Sequence, residues 1–219
     1  GALAAGKAQA ACDYTACARP AFYEVTLERA ELCQSAACTS PVIVGEGQKT
    51  FDIMSANPGA AIGSFASFPP LAPGRTFTHL RVTLDREMTI RGSVASGGNT
   101  YYTPGGDHTC SPANLANNNC GGGNNPNAAA AAPAGESTMI IPDGAFNNSP
   151  LTKVDCPTSG TANGCAQTVD PLASPFTVGL RPPRISVAFD TQDALGLFVA
   201  PGPTRFVVPA DPAPTISIQ

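Results

Sequence analysis

The stretch "FYEVTLER" alternates strictly: Tyr23, Val25 and Leu27 fall on one side, Glu24, Thr26 and Glu28 on the other. A period of two is the pattern of a strand with one buried face. It recurs in "THLRVTLD", where Leu80, Val82 and Leu84 oppose His79, Arg81 and Thr83. "REMTIRGSV" places Met88, Ile90 and Val94 on one face, and "RISVAFD" does so with Ile185, Val187 and Phe189. "PVIV", "KTFDIM", "STMII", "FTVGL", "TRFVV" and "TISI" are further short runs between Gly and Pro punctuation. No stretch carries a sustained helical stripe, and "TQDALGLF" is the one candidate for a short helix or turn. About ten short strands predict an all-β chain, a β-sandwich of the jelly-roll or immunoglobulin-like kind.

The middle of the chain breaks the pattern. Residues 95–136 hold glycine runs, asparagine runs and successive alanines, with almost no large apolar side chain. Such a length without core residues reads as a loop-rich insertion between two sandwich strands. The predicted organisation is an N-terminal arm, 1–11, followed by a single sandwich domain, 12–219, that carries the insertion 95–136. No internal repeat is visible.

Charge narrows the function. Only 13 % of residues are charged and the net charge is −4, against roughly 25 % charged in average chains. There is no basic run, so nucleic acid is not an expected partner. No apolar stretch approaches the roughly 20 residues that span a bilayer. The opening "GALAAGKAQAAC" is short and lacks a cationic start, so it reads as a mature N-terminus from which a signal peptide has been removed.

Eight cysteines fall into four close pairs: Cys12/Cys17, Cys33/Cys38, Cys110/Cys120 and Cys156/Cys165. Zinc sites use tighter knuckles with further Cys or His partners. Here His79 and His108 are the only histidines, and no CxxC is present. An even count in a chain rich in Gly, Pro, Asn and Thr predicts disulfides formed outside the reducing cytosol. Each pair brackets turn-forming residues, which favours nearest-neighbour bridges that pin local loops.

The chain has no GxSxG elbow, HExxH or P-loop. His79 reads as a solvated strand position. Asp107 and His108 are adjacent in a Gly-rich segment, and two adjacent ligands do not make a metal site. Asp85, Glu87, Asp190 and Asp193 stand at strand ends, where a carboxylate pair or a calcium site would need them to converge. The sequon at Asn147 is followed at once by Pro150; glycans on the Ser and Thr residues remain an open partner class. No enzyme activity and no cofactor are expected. The arm remains: Ala2, Leu3, Ala4, Ala5 and Ala8 are small apolar residues with one charge, Lys7, among them. Such a segment fits strand addition to a neighbouring subunit, a contact that does not close and so builds a filament. The final strand, "PTISIQ", is the second candidate donor.

"YEVTLERAELC", "FTHLRVTLDREMTIRGS" and "RISVAFDTQDALGLF…TRFVVPADPAPTISI" together resemble an uncharacterised family of secreted bacterial β-sandwich domains. The overall plan also resembles secreted fibre subunits of the TasA and donor-strand pilus type. The resemblance implies a secreted, self-assembling structural subunit of an extracellular or cell-surface filament, with itself as partner. The alternative expectation is a secreted binding module for carbohydrate or another cell-surface ligand, which Tyr101 and Tyr102, exposed in the long loop, would support.

Overall fold

The computed structural model describes residues 12, 14–55, 71, 73–108, 133–141, 151–160, 164–179, 185–199, 205–210 and 213–218. Over these residues the chain is all-β and sandwich-like, with no helix. The strands are β1 (Ala16–Ala18), β2 (Phe22–Cys33), β3 (Val42–Asp52), β4 (Thr76–Arg91), β5 (Ser93–Ser96), β6 (Asn99–Tyr102), β7 (Pro104–His108), β8 (Gly135–Ile140), β9 (Thr152–Val154), β10 (Cys165–Thr177), β11 (Ile185–Asp190), β12 (Leu195–Val199), β13 (Arg205–Pro209) and β14 (Ala213–Ile218).

The main sheet runs β11-β14-β10-β4-β2-β3, with β7, β8 and β9 attached beside β4 and β10. A three-stranded sheet, β1-β12-β13, and a hairpin, β5-β6, complete the fold. The middle strand β4 changes partner along its length. Residues 76–85 pair with β10, and Glu87–Ile90 pair with β8. Arg86 stands at the handover, fully buried, where its Nε (2.9 Å) and its Nη2 donate to the Ile141 carbonyl.

Two apolar clusters hold the layers together. In the first, Tyr23, Val25, Met88, Ile90 and Met139 of the main sheet pack against Leu195, Leu197 and Val207 of the small sheet and Val94 of the hairpin. In the second, Leu32, Val44, Phe77 and Leu80 pack with Leu172, Val178 and Ile216. Phe189 packs against both.

The alternating pattern places most buried residues correctly, and it fails at bulges. Leu27 pairs with Leu84 and Arg29 with Thr83, so Glu28 is an extra residue in β2. A bulge shifts the phase of a strand by one residue. Glu28, expected on the face of Glu24 and Thr26, is instead fully buried, and beyond Arg29 the alternation is lost, with Ala30, Glu31, Leu32 and Cys33 all buried. On β4, Thr83 is buried and receives a 3.0 Å hydrogen bond from Gln167 Nε2.

The expected loop over 95–136 is shorter at both ends. Residues 95–108 belong to β5, β6 and β7, and 135–136 to β8. Val94 and Thr103 are fully buried. Thr103 Oγ1 donates to the Gly135 carbonyl at 2.6 Å and accepts from Gly92 N at 3.1 Å. β7 and β8 run parallel, and a Cβ on Gly135 would lie 2.6 Å from Gly105 Cα. Glycine is there for close backbone approach, although in sequence it reads as loop. "TQDALGLF" is a turn that runs into β12.

Candidate functional site: an open sheet edge and an acidic groove

Three of the expected local disulfides are present: Cys12–Cys17, Cys33–Cys38 and Cys156–Cys165. Cys110 and Cys120 lie outside the described residues, as do Asn147 and the arm residues Ala2, Leu3, Ala4, Ala5 and Ala8. No described cysteine is free.

The longest edge of the main sheet is β3. One side of it pairs with β2, and among the described residues no strand pairs with the other. Its two halves differ. From Glu46 onward the edge is guarded: Glu46 forms an ion pair with Arg29, Gly47 kinks the chain at a φ of 118°, and Lys49 lies 5.5 Å from the Phe51 ring. Charged side chains and kinks are the usual means of blunting an edge. Val42–Gly45 carries no charge, but it holds a bulge: Ala30 pairs with Gly45 and Glu31 with Ile43, which leaves Val44 as an extra residue. Ile43 there is 42 % exposed; it and Phe198 are the exposed large apolar side chains among the described residues. The last strand, β14, is already occupied, lying between β11 and β10 with Val187 opposite Ile216 and Leu172 beside Ile216.

The outer face of β2, β3, β4 and β8 carries a groove of about 180 Å³ lined by Glu24, Thr26, Thr50, Asp85, Glu87, Thr89 and Thr138. Its origin is a second irregularity. Val25 pairs with Met88 and Leu27 with Leu84, so Asp85, Arg86 and Glu87 oppose the single residue Thr26. Asp85 Oδ1 accepts the Glu87 N–H at 3.1 Å and fixes this distortion. Threonine hydroxyls pair across the strands, Thr26 with Thr50 at 3.0 Å and Thr89 with Thr138 at 3.1 Å. Asp85 and Glu87, expected at strand ends, lie in the interior of β4, because "THLRVTLD" and "REMTIRGSV" run on as one strand up to Arg91; both share the groove. Asp190 and Asp193 do not line it; Asp190 Oδ1 accepts from Gln192 N in a turn. Glu24 and the threonines carried no sequence signal beyond exposed strand positions. Among the described residues no group of three or more His, Cys, Asp or Glu could hold a metal ion.

Tyr101 and Tyr102 are not loop residues. Both lie on β6, half-buried, and Tyr101 packs against the first cluster. His79 sits on β4 with Nδ1 2.8 Å from Thr78 Oγ1. Asp107 and His108 form the end of β7. No described helix is long and apolar enough to cross a membrane.

A buried carboxylate links the sheet to a disulfide loop. Glu28 accepts hydrogen bonds from Gln48 Nε2 (3.0 Å), Thr158 N (3.2 Å) and Ser159 N (3.1 Å). Burial pushes its pKa up, yet the hydrogen bonds from Gln48, Thr158 and Ser159 together outweigh burial and hold it below its ordinary value of 4.5. For Asp170 the balance reverses: burial raises it above 3.8 against opposing pulls from Thr168 and His79.

Comparison of the chain with family models, curated proteins and solved structures finds no match.

Proposed function

We propose that this chain is a structural subunit of an extracellular or cell-surface filament, joined to its neighbours by strand addition. The observation that carries this reading is the long β3 edge, unpaired on one side among the described residues, whose uncharged half exposes Ile43. The three local disulfides suit an oxidising compartment. The sparse charge suits close packing of copies. Occupation of β14 within its own sheet argues against the C-terminal strand as donor and favours the arm, residues 1–11. Negative-stain imaging of the purified chain tests the reading. The full chain forms filaments, and a variant lacking residues 1–11 does not. Single particles from the full chain at every concentration tried would overturn it.

One observation favours a second reading. The groove offers Thr hydroxyls and carboxylates to solvent on a flat sheet face, which suits a hydroxyl-rich ligand such as an oligosaccharide. Calorimetric titration of the Glu24→Gln and Glu87→Gln variants against glycans bound by the parent tests it; equal affinity in parent and variants removes the groove as the site.

A further inference from the structure

The main sheet ends on β3 at one side and on β11 at the other, and among the described residues no strand pairs with the outer side of β11. We propose that β11 is a homodimer contact: it pairs antiparallel with β11 of a second copy about a two-fold axis at Val187, so that two main sheets become one. This goes beyond the filament reading and does not depend on it.

The β11 edge is regular. It meets β14 through six successive residue pairs, Ile185↔Ile218 to Asp190↔Ala213, with no register shift. A straight ladder on one side leaves alternate N–H and C=O groups in line on the other. Ile185–Phe189 contains no charge and no proline, the usual guards of an edge. β3, by contrast, carries a bulge at Val44, charged residues from Glu46 onward and a φ of 118° at Gly47.

Charge selects both the occupant and the register. In "RISVAFD", Arg184 precedes the strand and Asp190 ends it, with only uncharged residues between. Laid antiparallel on a copy of itself with Val187 opposite Val187, this stretch sets Arg184 opposite Asp190 at both ends. Ile185 then stands opposite Phe189, and Ser186 opposite Ala188. Opposite residues of an antiparallel pair share a face. Phe189 packs against both apolar clusters, so this register joins the core face of one copy to the core face of the other and puts the charged positions on the other face. A slip of one residue would set apolar positions against polar ones. A slip of two, in either direction, would leave Arg184 and Asp190 opposite uncharged residues. The Asp190 carboxylate accepts one hydrogen bond from Gln192 N at 3.1 Å and has capacity for a guanidinium besides. A two-fold contact closes on two copies, and it uses neither β3 nor residues 1–11.

The test uses the full chain and two single variants, Arg184→Asp and Asp190→Lys, each checked for folding by circular dichroism and studied below the concentration at which any filaments form. Sedimentation is expected to find the parent as a dimer. Each variant alone sets like charges against each other at both ends, which is expected to weaken the dimer by about tenfold. An equal mixture of the two restores opposite charges at both ends and is expected to dimerise like the parent, a rescue that misfolding would not produce. Hydrogen exchange on the parent is expected to show amides within residues 185–190 gaining protection as the dimer forms, and this measurement decides if a variant does not fold. A monomeric parent overturns the proposal. So does a dimer equally strong in both variants, or one whose new protection lies outside β11. Filaments are scored separately by imaging. A β11 dimer without filaments keeps this inference and removes the filament reading; filaments built from a monomeric unit do the reverse.

Discussion

Glu31 and Arg81 stand directly opposite each other on β2 and β4 and meet fork to fork, Nε to Oε2 at 2.6 Å and Nη2 to Oε1 at 2.8 Å. Arg81 also reaches the Cys38 carbonyl at 3.5 Å, so the pair ties the ladder to the Cys33–Cys38 turn. The hydrogen bonds to Glu31 raise the Arg81 pKa further above its already high value, against a smaller opposing pull from burial. The carboxylate is nearly fully buried and the guanidinium one-fifth exposed.

That asymmetry sets the first prediction. Arg81→Ala leaves a buried carboxylate without its partner and lowers stability by about 3 kcal/mol, at the lower end of the range for breaking buried pairs because Arg81 is partly solvated. The double variant Glu31→Leu/Arg81→Met recovers most of that loss. Urea unfolding of the three proteins checks it; a double variant as unstable as Arg81→Ala would show that the pair matters for geometry and not for charge compensation.

Glu28 gives the chain an acid limit. Its folded pKa lies below the 4.5 of a free glutamate. A depressed carboxylate contributes stability that is present above the unfolded pKa and lost as pH falls through the folded one. The urea midpoint should hold steady from neutrality down to about pH 5 and fall below the unfolded pKa of about 4.5. In Glu28→Gln the midpoint is lower at neutral pH, because an amide group replaces an acceptor facing two backbone N–H groups, and this component of the acid slope disappears. An unchanged slope in that variant would assign the acid sensitivity to other carboxylates.

The aromatic ring of Tyr14 lies directly on Gly196 of β12, where an added Cβ would collide with three ring atoms. Gly196→Ala therefore displaces Tyr14, together with its 3.4 Å bond to the Pro209 carbonyl. The expected loss is about 1–3 kcal/mol, the usual scale for overpacking. Tyr14→Ala combined with Gly196→Ala should be less than additive in thermal unfolding, since the clash is gone once the ring is removed.

The strands were legible because one buried face per strand imposes alternation on the residues themselves. Tyr23, Val25, Met88, Ile90 and Val94 all lie where that rule puts them. What stayed hidden depends on pairing. β10 contains Pro171 and Pro175, which read as breaks, and the register does jump between Pro171 and Phe176 while Leu172 turns to pair with Ile216. The burial of Glu28 follows from an extra residue counted against β4, which no single strand reveals. The candidate sites divide in the same way. Asp85 and Glu87 stood out as strand-end carboxylates, but Glu24 joins them only through register with Thr89. That Val42–Gly45 carries no charge is visible in sequence; that β3 is an edge and that Val44 is an extra residue against β2 are not, because strand order and register are set by long-range pairing.

All eight cysteines are expected to be oxidised in local bridges. Three bridges are in place, and the remaining pair, Cys110 and Cys120, outside the described residues, is close enough in sequence for a fourth, with a separation near that of Cys156–Cys165. Peptide mapping without reductant checks this. A bridge from either residue to a distant cysteine would contradict local pairing. A Cys156→Ser/Cys165→Ser variant should lose roughly 2–3 kcal/mol, as expected for a short closed loop, with the loss concentrated where Thr158 and Ser159 hold Glu28.

The last prediction separates the part of the insertion that folds from the part the fold can do without. Replacing residues 95–136 as a whole removes β6, β7 and the start of β8, together with the Thr103 hydroxyl that joins Gly92 to Gly135. It also strips Tyr101 from the first cluster. That replacement should destabilise the chain severely. Replacing only residues 109–132 with a short Gly/Ser linker leaves every one of these contacts in place. Residues 109–132 contain Leu115 as their single large aliphatic residue and no aromatic one, so little apolar burial is available to lose. Circular dichroism and urea unfolding should therefore find the 109–132 replacement close to the parent and the 95–136 replacement unfolded or much weakened. If the shorter replacement also unfolds the chain, Cys110 and Cys120 and the residues between them contribute to the core, and the first round of repair is to restore residues 109–121 alone.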